Sequence, residues 1–147
     1  IKAITEAGIP VCGHIGLTPQ SSSAMGGFKV QGKSIETVNE LLDDAKAVEK
    51  AGAFMLMVEG VPTQACQYIR NNIDIPIIGI GAGDQCEFQA LVFHDMMGFN
   101  DWVPKFAKKY AEVGKDMLKA LNTFHNDVKE KAFPTHEYSY NTKIEGL

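Results

Sequence analysis

Three apolar runs with the composition of buried β-strands alternate with amphipathic helices, and this alternation restricts the fold more than any other feature. The runs are "IPVCGHIGL" (Ile9–Leu17), "AFMLMVEGVP" (Ala53–Pro62) and "IPIIGIGAG" (Ile75–Gly83). Between the first two, apolar residues recur at helical spacing: Val38, Leu41, Leu42, Ala45 and Val48. Strands that are apolar on both faces and alternate with helices are typical of a parallel sheet covered by helices. The sequence therefore predicts an α/β fold, either a doubly wound sheet or part of an eight-stranded barrel.

Weaker signals place the remaining elements. A helix is predicted from Thr63 to about Asn71, and the apolar run "ALVFHDMMG" (Ala90–Gly98) predicts a fourth strand. The stretch between the third and fourth runs is short for a parallel crossover, which usually takes a dozen residues or more. Pro104 is predicted to begin a helix that ends at Tyr110. A last helix is indicated by apolar residues at helical spacing: Met117, Leu121, Phe124 and Val128.

The composition of the 147 residues limits the classes of function. A formal net charge of -4 disfavours a nucleic-acid partner, because nucleic-acid binders carry a basic face. The three cysteines form no C-x-x-C pair, a pattern that fits thiols in a reducing, cytoplasmic compartment better than a disulfide framework or a zinc site. No apolar run approaches the length of a membrane span, so no membrane partner is predicted.

Glu59 is the strongest candidate for chemistry. It ends a run of apolar residues and precedes a Gly-Val-Pro turn, at the predicted carboxyl end of the second strand. A carboxylate in that place is partly desolvated, which raises its pKa and suits it to accept a proton near neutral pH. The alternative is a structural carboxylate that pairs with an arginine or caps the next helix, since perturbed carboxylates are not confined to functional sites.

Other polar or glycine residues also lie at predicted strand ends. His14 has the position of a functional residue, although a lone histidine there is more often a hydrogen-bonded core residue. The glycines of Gly79–Gly83 can bring backbone N–H groups to an anion, but they do not complete a G-x-G-x-x-G fingerprint, and tight packing explains them equally well. His94 and Asp95 have the residue types of a metal-binding or an acid–base pair, but adjacent strand residues point to opposite faces, so a structural role is favoured for them.

A long polar loop follows the first predicted strand, from Thr18 to Lys33, with three serines and several glycines. Loops of this length in compact domains are usually lids, binding loops or disordered segments. The loop starts close behind His14. The sequence therefore predicts that this loop lies near a functional site.

Six segments of the chain resemble the ketopantoate hydroxymethyltransferase family. They occur in the family's order between Ile9 and Tyr110: "VCGHIGLTPQ", "GGFKVQGK", "VEGVP", "IPIIGIGAG", "LVFHDMMG" and "PKFAKKY". The combination of "GHIGLTPQ" with "GGFKVQG" is highly specific for this family.

The resemblance implies a (βα)8 barrel that binds magnesium and a 2-oxo acid. The family transfers a hydroxymethyl group from 5,10-methylenetetrahydrofolate to 3-methyl-2-oxobutanoate, which gives 2-dehydropantoate. Its catalytic base falls on Glu59, and the histidine beside its substrate falls on His14. Gly81 and Gly83 are likewise implied to lie next to the substrate, and the loop after His14 to form part of the active-site rim. A homo-oligomer is also implied.

The chain is short for such a barrel, which takes about 250 residues. About four βα units are present, so we expect the carboxyl-terminal half of a (βα)8 barrel over residues 1–131 and a polar tail over residues 132–147. The chain begins at Ile1 rather than Met, and we expect its natural amino terminus to lie upstream. The family's magnesium ligands come from earlier strands, so no metal ligand is assigned here. The family usually has Asp-Gly-Gln where this chain has Glu87-Phe88-Gln89, and we expect the bulky Phe88 to change the rim.

Two other interpretations stay open at this stage. A related magnesium-dependent 2-oxo-acid lyase or mutase would share the enolate chemistry but should lack "GGFKVQG". A catalytically silent piece that acts only by association with a partner or with itself would fit the lack of assigned metal ligands.

Overall fold

The computed structural model describes residues 1–24 and 26–146; Met25, in the long polar loop, and Leu147 lie outside the described residues. The chain forms two compact units, Ile1–Leu91 and Val92–Leu147. Within the described ranges, no helix is both long enough and apolar enough to cross a membrane.

The first unit contains a four-stranded parallel sheet. The strands are β1 (Cys12–Gly16), β2 (Met55–Glu59), β3 (Ile77–Ile80) and β4 (Phe88–Gln89); the helices are α1 (Lys2–Glu6), α2 (Ile35–Lys50) and α3 (Thr63–Arg70), and Pro19–Ser21 form one 3-10 turn. The strands lie in the order β1-β2-β3-β4, each parallel to its neighbour. A doubly wound sheet reverses its strand order at a switch point, whereas a barrel wall keeps the order of the chain. The predicted α/β class is confirmed, and the strand order agrees with part of a (βα)8 barrel.

Local signals fix the ends of α2. The Ser34 hydroxyl accepts a hydrogen bond from the Thr37 N–H at 3.3 Å, and the Thr37 hydroxyl accepts one from the Ser34 N–H at 3.1 Å. This reciprocal pair satisfies backbone donors that the first turn of a helix leaves free. The helix ends before Gly52, which takes the left-handed φ of +88° that commonly terminates helices.

Helices α2 and α3 cover one face of the sheet. The core residues with 0% exposure lie on α2, β2, α3 and β3 and in the connection after β3: Ala45, Leu56, Val58, Cys66, Ile69, Ile77 and Ala82. Burial of a large aliphatic side chain contributes about 1.5–3 kcal/mol. This layer of sheet and helices is therefore the main source of stability in the first unit.

The opposite face of the sheet is only partly covered. The register pairs His14 with Met57, Met57 with Ile78, and Ile78 with Phe88. Residues paired in this way point to the same side of a sheet. His14, Met57 and Ile78 are partly buried, and Phe88 is 52% exposed. We call this side the open face; in a closed barrel it would line the interior.

The predicted fourth strand, Ala90–Gly98, is wrong. The fourth strand is β4, which precedes this run, and Phe93–Met96 form a short helix, α4. The Met97 N–H donates to the Phe93 carbonyl oxygen at 2.9 Å, as in a helical turn. Periodicity alone cannot assign a short apolar run to strand or helix. The connection from β3 to β4, residues 81–87, can be short because the two strands share only two residue pairs.

The second unit contains α4, α5 (Val113–Lys129) and a 3-10 turn at His136–Tyr138. Helix α5 confirms the last predicted helix, and all of its residues remain at least partly exposed. The predicted helix from Pro104 to Tyr110 is wrong. After one turn at Pro104, the Tyr110 N–H donates to the Met96 carbonyl oxygen at 2.8 Å. A segment whose N–H groups bond to another part of the chain cannot complete the hydrogen bonds of a helix.

We expect the chain to self-associate through the open face, because that face carries apolar side chains without a covering layer. Phe88→Ser should weaken association about tenfold or more, since burial of a Phe side chain contributes about 1.5–3 kcal/mol. Phe54→Ser is the matched control, because Phe54 is also 52% exposed. Its side chain points to the opposite side from that of Met55, and therefore away from the open face. Sedimentation velocity measures the association. A monomeric chain with a sharp cooperative melt would contradict this prediction.

Candidate active site

Strands β1 and β2 bring His14 and Glu59 together: Glu59 is the last residue of β2, whereas His14 lies in the middle of β1 rather than at its predicted end. His14 lies beside Met57 and Gly16 lies beside Glu59, so the two side chains leave the same face. The Nε2 atom of His14 lies 3.1 Å from the Oε2 atom of Glu59. The structure therefore unites two candidates that the sequence pointed to separately.

Backbone hydrogen bonds continue past the strand ends and fix this edge. The Leu17 N–H donates to the Glu59 carbonyl oxygen at 2.8 Å, and the Gly60 N–H donates to the Ile80 carbonyl oxygen at 2.9 Å. The Gln31 N–H donates to the Gly60 carbonyl oxygen at 2.9 Å. The long loop thus leaves the end of β1 and returns beside the end of β2, at the edge that carries Glu59.

Gly16 permits the close approach of the two strand ends. Its φ is +84°, and a Cβ atom at this position would lie 2.3 Å from the Glu59 carbonyl oxygen and 3.0 Å from Val61 Cγ1. Glycine alone combines that backbone conformation with the absence of a side chain. The position of the Glu59 backbone therefore depends on Gly16.

Glu59 is a buried carboxyl group, with 9% exposure. Burial raises the pKa of Glu59, and the attraction of its carboxylate to His14 works in the opposite direction as a smaller effect. A carboxylate with a raised pKa is a stronger base than an exposed one. The site can therefore carry out proton abstraction near neutral pH.

His14 keeps one polar atom unsatisfied. Its side chain is 26% exposed, but Nε2 itself is buried and has no hydrogen-bond partner among the described residues. The 3.1 Å separation from Glu59 Oε2 is an ion-pair distance, and this pairing stabilises the Glu59 carboxylate. The Nε2 atom therefore faces the Glu59 carboxyl group and is shielded from solvent.

The glycine loop after β3 lies at the same edge of the sheet. Gly81 and Gly83 have φ values of +62° and +83°. A Cβ atom on Gly83 would lie 2.3 Å from Thr63 Oγ1, at the start of α3. The side-chain N–H of Gln89 donates to the Gly83 carbonyl oxygen at 2.8 Å. Packing against α3 thus explains Gly83 in part, and its place beside a substrate stays a prediction.

His94 and Asp95 lie on α4 in the second unit rather than on a strand. The prediction that both residues lie on a strand is therefore wrong. The His94 ring lies with its centroid 4.8 Å from that of Phe99 and makes an edge contact with Phe93 at 5.8 Å. These ring contacts support the structural interpretation of His94.

Across residues 1–24 and 26–146, no three His, Cys, Asp or Glu side chains converge in a way that could hold a metal ion. Magnesium requires near-octahedral oxygen coordination, usually with carboxylates and waters. The pair of His14 and Glu59 supplies a single carboxylate. The residues of this chain therefore do not fit a resident magnesium ion.

Sequence reasoning missed two residues that anchor the edge. Gln31 and Gln89 lie within the quoted segments "GGFKVQGK" and Glu87-Phe88-Gln89, but their chemistry predicted no role. The backbone N–H of Gln31 donates to the Gly60 carbonyl oxygen, and the side-chain N–H of Gln89 donates to the Gly83 carbonyl oxygen. A polar residue that follows an apolar strand or closes a long loop is the only signal that the sequence offered.

Comparisons with known proteins agree with the motifs. A sequence model of the family described as "Ketopantoate hydroxymethyltransferase" matches residues 1–136. The "3-methyl-2-oxobutanoate hydroxymethyltransferase" of Clostridium acetobutylicum is 52% identical over 141 residues, 95% of this chain and 51% of the relative. The proteins of that name from Enterococcus faecalis and Syntrophobacter fumaroxidans are 52% and 46% identical, over the same 95% of this chain and 51% and 50% of their own lengths. The chain thus spans about half the length of the curated relatives it matches.

Gly16→Ala should destabilise the first unit by about 1–3 kcal/mol, because it combines a strained backbone conformation with a clash against the Glu59 carbonyl. Gly8→Ala is the control. Gly8 has a similar φ of +81°, but nothing lies within 4 Å of an added Cβ atom. Urea unfolding followed by far-ultraviolet circular dichroism measures both variants. Equal losses would show that the close approach of β1 and β2 does not matter for stability.

Glu59→Gln should make the chain more stable at neutral pH. The folded-state pKa of Glu59 is raised, so its stability contribution is complete below the unfolded pKa of about 4.3 and is lost as pH rises through the folded pKa. The amide of the Gln variant is uncharged, so it has no cost of ionisation in the buried site. Urea unfolding should therefore separate variant and wild type at pH 7 and bring them together near pH 4. Glu40→Gln, on the exposed side of α2, controls for amide substitution, and a neutral-pH loss of stability in Glu59→Gln would refute the prediction.

Proposed function

This chain belongs to the ketopantoate hydroxymethyltransferase family, and from that premise we propose that it forms the carboxyl-terminal half of an enzyme of that activity. The enzyme would transfer a hydroxymethyl group from 5,10-methylenetetrahydrofolate to 3-methyl-2-oxobutanoate and release 2-dehydropantoate. Since the chain spans half the length of its relatives, the activity is proposed for an assembly that contains the rest of the barrel. The family match does not favour the lyase or mutase alternative.

The observation that supports this proposal most directly is the contact of His14 with the buried carboxyl group of Glu59 at the carboxyl edge of a parallel sheet. Barrel enzymes place their reacting groups at this edge. Glu59 would take the proton from the substrate carbon next to the ketone. The resulting enolate would then attack the folate-bound methylene carbon.

His14 would act beside that base. Its Nε2 atom lies 3.1 Å from Glu59 Oε2, which is close enough to fix the orientation of the carboxyl group. The His14 side chain is 26% exposed, so another part of the ring would meet the substrate. We therefore assign His14 to orientation of substrate and base, with proton abstraction assigned to Glu59 alone.

Two loops would form the rim of the site. One loop leaves β1 at Leu17 and returns with Gln31 beside Gly60, and the connection after β3 carries Gly81 and Gly83. These parts of both loops lie at the edge of the sheet that carries Glu59. We assign Gly81 and Gly83 to substrate contact through the backbone, because glycine has no side chain that would cover the edge.

The magnesium ion and the oligomer that the family resemblance implies belong to the same proposal. No group of side chains in the described part of the chain fits the metal, so its ligands would come from the other half of the barrel, and the steps given to Glu59 and His14 do not depend on it. We propose a 2-oxo acid and a folate as the small-molecule partners, a cytoplasmic location and a homo-oligomeric enzyme. The negative net charge offers no support for a nucleic-acid partner.

The test is proton exchange at the substrate carbon next to the ketone, in D2O and without folate, which isolates the first step. The chain is produced together with the amino-terminal half of the Clostridium acetobutylicum relative. Glu59→Gln should lower the exchange rate about 10²–10⁴-fold, because it keeps the shape of the side chain and removes the base. Keto-acid binding should change little.

Two further variants make the result specific. His14→Gln should lower exchange less than Glu59→Gln does, and Glu40→Gln should match the wild type. Exchange at the wild-type rate in Glu59→Gln would show that Glu59 is not the base. No exchange with any variant, although the two halves associate, would support the silent interpretation of the chain instead.

A further inference from the structure

Two cysteines outside the proposed site face each other. Cys66, on α3, has 0% exposure, and Cys86, in the connection from β3 to β4, is partly exposed. Their Sγ atoms lie 3.2 Å apart. The third cysteine, Cys12, is exposed and lies on β1. Only one pair of thiols in this chain is therefore arranged to react internally.

We propose that Cys66 and Cys86 form a redox modification site, in which a peroxide or a small-molecule disulfide converts the two thiols into an intramolecular disulfide. The inference does not depend on the proposed function, since neither cysteine takes part in it. It depends on the contact of two elements that the first unit holds together.

Neighbouring contacts hold the two sulfur atoms in place. Cys66 and Arg70 lie one turn apart on α3. Cys66 contacts Cys86, and Arg70 contacts the next residue of the connection, Glu87. Arg70 pairs with the Glu87 carboxylate, whose other oxygen accepts a hydrogen bond from the Ile77 N–H at 2.9 Å. An S–S bond is about 2 Å long, so closure requires a shift of about 1 Å. Rotation of the two side chains can supply this shift while the pairing of Arg70 with Glu87 keeps the elements together.

Cys86 also packs against the backbone of β3. A Cβ atom on Gly79 would lie 2.6 Å from Cys86 Sγ. The glycine at this position thus makes room for the thiol. The Cys86 sulfur therefore lies between the backbone of β3 and the Cys66 thiol of α3.

The two thiols would have different roles. Burial raises the pKa of both, that of Cys66 to about 12, and the Asp84 and Glu87 carboxylates add to the effect at Cys86. A hydrogen bond with Cys66 opposes part of this effect at Cys86, whose pKa nevertheless stays raised. Cys86 is the more exposed of the two thiols. It is therefore the thiol that meets the oxidant, and Cys66 is the thiol that resolves the product.

The chemistry balances with hydrogen peroxide as the oxidant. The Cys86 thiolate attacks one peroxide oxygen, the O–O bond breaks, and a sulfenic acid and hydroxide form. The Cys66 sulfur then attacks the Cys86 sulfur, the S–S bond forms, and the sulfenic oxygen leaves as water with the Cys66 proton. In total, two thiols and one peroxide give one disulfide and two waters, and a dithiol reductant reverses the change.

The experiment counts free thiols in the native 147-residue chain before and after incubation with hydrogen peroxide. The count should fall from three to one, and the mass should fall by about 2 Da as two hydrogens are lost. Peptide mapping should place the bond between Cys66 and Cys86 and leave Cys12 free. Dithiothreitol should restore all three thiols.

Variants and a denaturant make the result specific. Cys12→Ser should still lose two thiols, whereas Cys86→Ser should retain both of its thiols under the same conditions. Cys66→Ser should stop at the sulfenic acid of Cys86, with a mass gain of about 16 Da. In urea, the preference for the Cys66–Cys86 bond should disappear. Three free thiols after oxidation, a bond that involves Cys12, or the same products with and without urea would overturn the proposal.

Discussion

The close approach of β1 and β2 at Gly16 is the constraint on which the candidate site depends. A side chain at that position would meet the Glu59 carbonyl oxygen, which accepts the Leu17 N–H. These contacts fix the register, and the register decides which face each side chain takes. A slip by one residue would turn Glu59 toward the face that α2 and α3 cover. There an ionised carboxyl group would have no partner and the helices would lose their apolar contact.

Burial of Glu59 has two consequences that come from one cause. Removal from water raises the pKa of the carboxyl group, which suits it to accept a proton. The same removal makes its ionised form unfavourable in the folded chain at neutral pH. Functional sites often carry such a cost in stability. The nearby imidazole of His14 offsets part of it, because it stabilises the carboxylate across 3.1 Å.

Much of the fold followed from the sequence, because continuous apolar runs and helical periodicity are local signals. They predicted β1, β2 and β3 and the helices between them, and they placed His14 and Glu59 at strand ends that meet at one edge. The 3.1 Å contact itself could not be predicted, since it depends on the register of β1 and β2, two strands that are far apart in the sequence. The run Ala90–Gly98 failed for a different reason: a short apolar segment fits a strand or a helical turn equally well.

The connection between β3 and β4 shows why the details of the site could not be predicted from local sequence patterns. Residues 81–87 have no regular structure, yet long-range contacts hold both ends: Gln89 binds the Gly83 carbonyl, and Glu87 binds Arg70 and the Ile77 N–H. Cys86 lies between these anchors, against Cys66. The spacing of these pairs in the sequence matches neither the helix nor the strand period, so no periodic pattern predicts them. Because the connection is already held, a bond between the two sulfur atoms would remove its remaining freedom with little change in its path. The disulfide would then join the connection to α3 covalently, beside the contact of Arg70 with Glu87.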